Sequence, residues 1–261
     1  MSQWQLALLF SLLAVAALAL VGRRPYLDEF SGRPRQTLAA LLLIGILAAT
    51  VFLPVTAFGK VDDLEFSAIW VPALLVGHLF IAAFLLGWWR LRGDVPLHRF
   101  LGVSGTALPR KLAQGVAVGL AGWGLTVAAA GVAAALIGTG AEPAAAPEVP
   151  PVMVWLAGLS VLDKLLIVGA AMTVEEFFFR SFLQPRVGLV VSSLFFVCSH
   201  FGYGLPVMLV GVLTISLLLG RVFQRGGDVV PCIIAHGVFD AVQLFVVLPW
   251  AVQSFQAAAG N

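Results

Sequence analysis

Glu175, Glu176 and Arg180 stand together in one apolar stretch of this sequence, His200 in a second, and His236 and Asp240 in a third. Glu176 and Arg180 form an i, i+4 pair with the carboxylate first, the favourable order, and share one helix face. Glu175 is turned by roughly 100° from Glu176 on a helix of 3.6 residues per turn, so it is not the natural partner of Arg180. One carboxylate is neutralised and one is left over. His236 and Asp240 also share a face, extended by Gln243, while Phe196 shares a face with His200 and has Ser193 beneath it. An unpaired carboxylate beside an imidazole can take a proton from water. A second imidazole with a donor next to it can stabilise the oxyanion formed when that water attacks a carbonyl. These types and spacings therefore allow peptide hydrolysis, with Glu175 and His200 activating water and His236 and Asp240 at the oxyanion.

The elements that must position these residues are membrane helices. Of 261 residues, 61% are hydrophobic and only 11% charged, and the mean hydropathy is +1.02. A soluble domain carries roughly 25% charged residues, so this chain takes the bilayer as its solvent. The formal net charge of +2 is too small for a nucleic-acid footprint. Runs of roughly 20 apolar residues lie near 4–22, 37–58, 68–90, 112–138, 153–185, 187–201, 205–220 and 229–250. The expected fold is all-α, a polytopic membrane protein of about eight spans. The stretch 153–185 is too long for one crossing, so 152–160 is expected to be a separate interfacial piece. The first run lacks a positively charged start and is read as a retained helix, not a signal peptide. Residues 1–261 form a single integral membrane domain on this reading, with 1–138 accessory and 153–250 the catalytic core. Cys198 and Cys232 lie in apolar runs and are expected as buried free thiols.

The basic residues set an orientation. The loops 23–36 and 90–111, together with Arg186, Arg221 and Arg225, hold most of the lysines and arginines, whereas the opposite side has Lys60 and Lys164 among several carboxylates. The positive-inside rule makes the arginine-bearing loops cytoplasmic, in what is expected to be a bacterial inner membrane. Counting about 1.5 Å per residue from Arg186, Gly188 and Val229 puts Glu175 ~16 Å deep, His200 ~18 Å, His236 ~10 Å and Asp240 ~16 Å. Three helices thus bring their ionisable groups to similar depth. A charge at mid-span costs about 2.5–3.5 kcal/mol even on a lenient scale, which makes such groups functional candidates.

Glu175-Glu176-Phe177-Phe178-Phe179-Arg180 fits Glu-Glu-x-x-x-Arg, Phe196-Val197-Cys198-Ser199-His200 fits Phe-x-x-x-His, and His236-Gly237-Val238-Phe239-Asp240 fits His-x-x-x-Asn/Asp. In this order the motifs resemble the CAAX prenyl protease and bacteriocin-processing family of glutamic intramembrane proteases, over about 162–243. The resemblance implies that Glu175 and His200 activate water, that His236 and residue 240 form the oxyanion site, and that Glu176, Arg180 and Phe196 support them. It implies as substrate a membrane-anchored or prenylated polypeptide. Eukaryotic members of this kind carry Asn at the last position. Here it is Asp240, which cannot donate a hydrogen bond when ionised, so either it is protonated or it orients and charges His236. Bacterial members of similar size are linked to bacteriocin maturation or immunity and to trimming of membrane-anchored proteins.

Competing readings use the same residues. Glu176 and Arg180 also read as an internal ion pair that fixes packing, and His78 and His98 as ordinary core histidines with no role. Two histidines and several carboxylates could hold zinc, but His-Glu-x-x-His spacing is missing, so no cofactor is expected. A proton-coupled transporter would step its charges through the membrane, whereas these sit at one level. A catalytically silent scaffold or immunity protein is the third alternative. The aromatic run Phe177 to Phe179, with Phe195 and Phe196, is expected to contact lipid and to pack, not to select substrate.

Overall fold

The computed structural model describes residues 6, 11, 28–57, 75–138, 151–201 and 206–259. The helices are α1 (Arg33–Ala57), α2 (Val76–Arg92), the short α3 (Leu97–Phe100), α4 (Leu108–Gly138) and α5 (Pro151–Gly158). Then come α6 (Val161–Val187), α7 (Leu189–Ser199), α8 (Pro206–Gly226) and α9, which runs from Val230–Val242 through Gln243–Val247 into Leu248–Ala259. No strand occurs among the described residues. The all-α expectation stands.

The expected number of spans is not reproduced. Among the described residues, three helices are long and apolar enough to cross a membrane, in α4, α8 and α9, and a fourth span results if α5 and α6 count together. Two of the expected spans are short: α2 has 17 described residues and α7 only 11, against the roughly 20 that a full crossing needs. The run 4–22 apart from residues 6 and 11, the loop holding Lys60, and residues 202–205 lie outside the described residues.

The expected break near residue 160 is present, and α5 meets α6 at a 110° bend. Ser160 makes it. Its extended backbone ends one helix while its side chain accepts the Asp163 N–H of the next, an N-cap. Lys164 differs from expectation: it is buried and donates to the Ala157 carbonyl at 2.8 Å. A cation thereby satisfies one C-terminal carbonyl of α5 instead of facing solvent.

Two packing contacts determine where the ionisable groups sit. At Gly119 on α4 a Cβ would lie 2.6 Å from the Ala235 carbonyl oxygen, and at Gly115 one would lie 2.6 Å from Ile234 Cβ. Small residues four apart let two helix backbones approach closely. α9 is therefore seated against α4 at the residues just before His236. On the other side, α2 docks on α6 through rings: Phe84 meets Phe178 at 5.8 Å and Phe182 at 5.0 Å, and Trp88 meets Phe182 at 5.0 Å. Phe178, Phe179, Phe195 and Phe196 are all buried in this core. The aromatic run packs, and those four rings do not reach lipid.

Candidate active site

The carboxylate helix is not a uniform α-helix. α6 widens to i→i+5 bonding over Ala171–Glu175 and again over Phe177–Leu183, with Glu176 between the two wide turns. Such turns are uncommon and concentrate at functional sites, because they re-aim side chains that a regular helix would separate. Here Glu175 and Glu176 both address histidines on neighbouring helices.

Glu176 is fully buried, and each of its oxygens has a partner. Arg180 Nε donates to its Oε2 at 3.1 Å, and His236 Nδ1 lies 3.0 Å from its Oε1. Arg180 also donates to Ser216 Oγ of α8 at 3.2 Å. Its guanidinium lies over the Phe196 ring, 5.1 Å from the centroid. The expected ion pair is thus present, extended by two partners. A lone buried pair offers weak evidence of stabilisation, but this one also fixes the ring of His236.

Glu175 is arranged differently. Its Oε1 is 3.1 Å from His78 Nε2, and its Oε2 is 4.0 Å from His200 Nε2. Oε2 is buried, with no hydrogen-bond partner among the described residues. His200 ends α7, and its Nδ1 is 2.7 Å from the Phe196 carbonyl. A carbonyl can only accept, so Nδ1 carries a proton and Nε2 is the nitrogen turned to Glu175, unprotonated whenever the ring is neutral. Phe196 lies between the two motif histidines, its ring tilted against His200 at a centroid distance of 4.5 Å and edge-on to His236 at 5.9 Å.

His236 Nε2 faces Asp240 Oδ2 at 3.4 Å. With Nδ1 turned to Glu176, either Asp240 or the imidazole carries the proton between them, so both readings of Asp240 fit this distance. Gly237 admits α6 beside this pair, because a Cβ there would collide with Met172 Sδ. All seven residues singled out in the sequence, namely Glu175, Glu176, Arg180, Phe196, His200, His236 and Asp240, therefore sit in one linked cluster.

The structure adds two residues that sequence reasoning missed. Ser216 gave no signal, because a serine in an apolar helix is unremarkable. His78 did give one: counting from Arg90 at about 1.5 Å per residue puts it ~18 Å deep, level with Glu175 and His200. Cys198 and Cys232 are free. No group of three or more His, Cys, Asp or Glu among the described residues is arranged as metal ligands.

Residues 153–242 match the Rce1-like family, type II CAAX prenyl endopeptidases. The matched domain covers about a third of the chain. That domain contains the seven motif residues and excludes His78. The Uncharacterized protein YpbD of Bacillus subtilis (strain 168) is 38% identical over 69 residues, which is 26% of this chain. The chain spans only about a third of that relative, 36% of its length. No solved structure matches the chain. The match and the apolar helices together support an integral membrane protein.

Proposed function

We propose that the protein is a glutamic-type intramembrane endopeptidase that cuts a membrane-anchored or lipidated polypeptide near its anchor. The observation that carries this reading is Glu175 Oε2, buried, without a hydrogen-bond partner among the described residues and 4.0 Å from His200 Nε2. A water about 2.8 Å from both atoms would subtend an angle of about 90°. It would give one proton toward the carboxylate and the other toward the imidazole, leaving a lone pair for attack. Glu175 takes the proton as the water adds to the carbonyl and delivers it to the leaving amine. His236, held by Glu176, and Asp240 form the polar side on which the oxyanion develops. Phe196 and Arg180 hold the two histidines at their spacing. The Rce1-like match supports a lipidated or membrane-anchored substrate, and the arginine loops support a cytoplasmic face in a bacterial inner membrane. The reaction as proposed uses no metal.

Comparison of protein N-termini in membranes from cells carrying wild type or Glu175→Gln tests this. Peptide termini that vanish in the variant, at equal levels of folded protein, are the expected result. Identical termini would leave a silent scaffold or immunity protein as the reading.

A further inference from the structure

We propose that His78, from a helix outside the Rce1-like domain, is a positioning residue for Glu175. This rests on the hydrolase reading and adds to it a division of labour between the two carboxylate oxygens. A glutamate carboxylate turns easily about its last torsion, whose preferences are broad and two-fold. An unrestrained Glu175 would swap its oxygens and tilt the plane that must receive the water's proton. His78 Nε2, 3.1 Å from Oε1, fixes that plane and leaves Oε2 toward His200. The bond reaches across from α2 to the wide turn of α6 that ends at Glu175.

Helix docking does not require this bond. The α2–α6 contact is already made by Phe84 and Trp88 against Phe178 and Phe182, one to three turns along α2 from His78. His78 is the sole ionisable residue of α2 before Arg90. A polar ring placed in so apolar a helix costs free energy unless it is hydrogen-bonded, and it bonds to a carboxylate whose other oxygen has no hydrogen-bond partner among the described residues. Misplacing a reacting group by about 1 Å can cost on the order of 100-fold in rate.

The test compares wild type, Glu175→Gln, His78→Phe and His78→Gln in native membranes. It follows the rate at which Glu175-dependent termini appear, together with melting temperature in detergent and the ¹⁵N shifts of His78 by solid-state NMR. His78→Phe is expected to slow cleavage by about 10–100-fold, with melting temperature and membrane level unchanged. His78→Gln is expected to recover most of the rate, because the Gln amide nitrogen reaches the position of imidazole Nε2. Glu175→Gln should move the His78 Nε2 signal. Full-rate cleavage by folded His78→Phe, or a slowing explained wholly by lost folded protein, would overturn the positioning role while leaving the hydrolase reading intact. An unmoved His78 signal in Glu175→Gln would overturn the contact itself. Termini unchanged in Glu175→Gln would overturn both.

Discussion

Glu29 and Glu175 both sit among basic side chains, and they are treated in opposite ways. Glu29 accepts two bonds from Arg186 Nη2 at 2.6 and 2.8 Å, one from Arg92 at 3.2 Å and one from Trp88 at 3.3 Å. Its partners are mainly guanidiniums, which keep their protons under all ordinary conditions. The result is a knot tying the segment before α1 to the arginine-bearing ends of α2 and α6. Glu175, deeper along helix α6, faces imidazoles, and among the described residues one of its oxygens has no hydrogen-bond partner. Imidazoles exchange protons near neutral pH and guanidiniums do not. The first arrangement can only hold; the second can also transfer a proton. Glu176, directly next to Glu175, belongs with the first type through Arg180.

The sharpest way to break this comparison is to neutralise each carboxylate. Glu175→Gln is expected to lower cleavage by about 10²–10⁴-fold, the range for a lost general base, with little change in melting temperature. Glu29→Gln is expected to do the reverse, lowering the melting temperature while the cleavage rate per folded molecule is kept. Parallel terminus profiling and thermal melts in detergent read both, and a similar loss of rate in the two would erase the distinction.

Glu176 and Arg180 offer a test of intermediate size. Removing one member of a buried, hydrogen-bonded pair costs about 3–5 kcal/mol because the other is left uncompensated. Arg180→Met alone should therefore destabilise more than Arg180→Met with Glu176→Gln, as read from denaturation in mixed micelles. If the double variant is the less stable, Glu176 is not the holding type.

Packing gives a smaller effect. Gly119→Ala would force α9 away from α4 next to His236, at an expected cost of about 1–3 kcal/mol. The loss of activity should exceed the loss of folded protein, because the displaced helix carries His236 and Asp240. Smallest of all is metal removal. Exhaustive chelation is expected to leave the cleavage rate unchanged, and a loss restored by added zinc would move the imidazoles into a ligand role.

Much of the site was legible because polar residues in apolar helices are rare enough to be conspicuous. Glu175, His200 and Asp240 could be matched in depth simply by counting helical rise from the arginine-bearing ends. The i, i+4 arithmetic also found the Glu176–Arg180 pair. It failed at the links between helices. His236 turning its Nδ1 to Glu176 needs the close approach at Gly119 and Gly237, and His78 reaching Glu175 needs α2 docked by its aromatic rings. Arg186, read as an orientation signal, is also the main partner of Glu29.

The sequence by itself determined the solvent, the all-helical class and the identity of the charged residues kept in apolar helices, because composition and helical periodicity are local properties. Tertiary structure alone decided which carboxylate oxygen is bonded and which has no partner among the described residues, and that a histidine outside the Rce1-like domain reaches the site. Those outcomes depend on how closely helix backbones approach and on where α6 widens. The approach is set by side chains far apart in the chain, so no single stretch of sequence contains it.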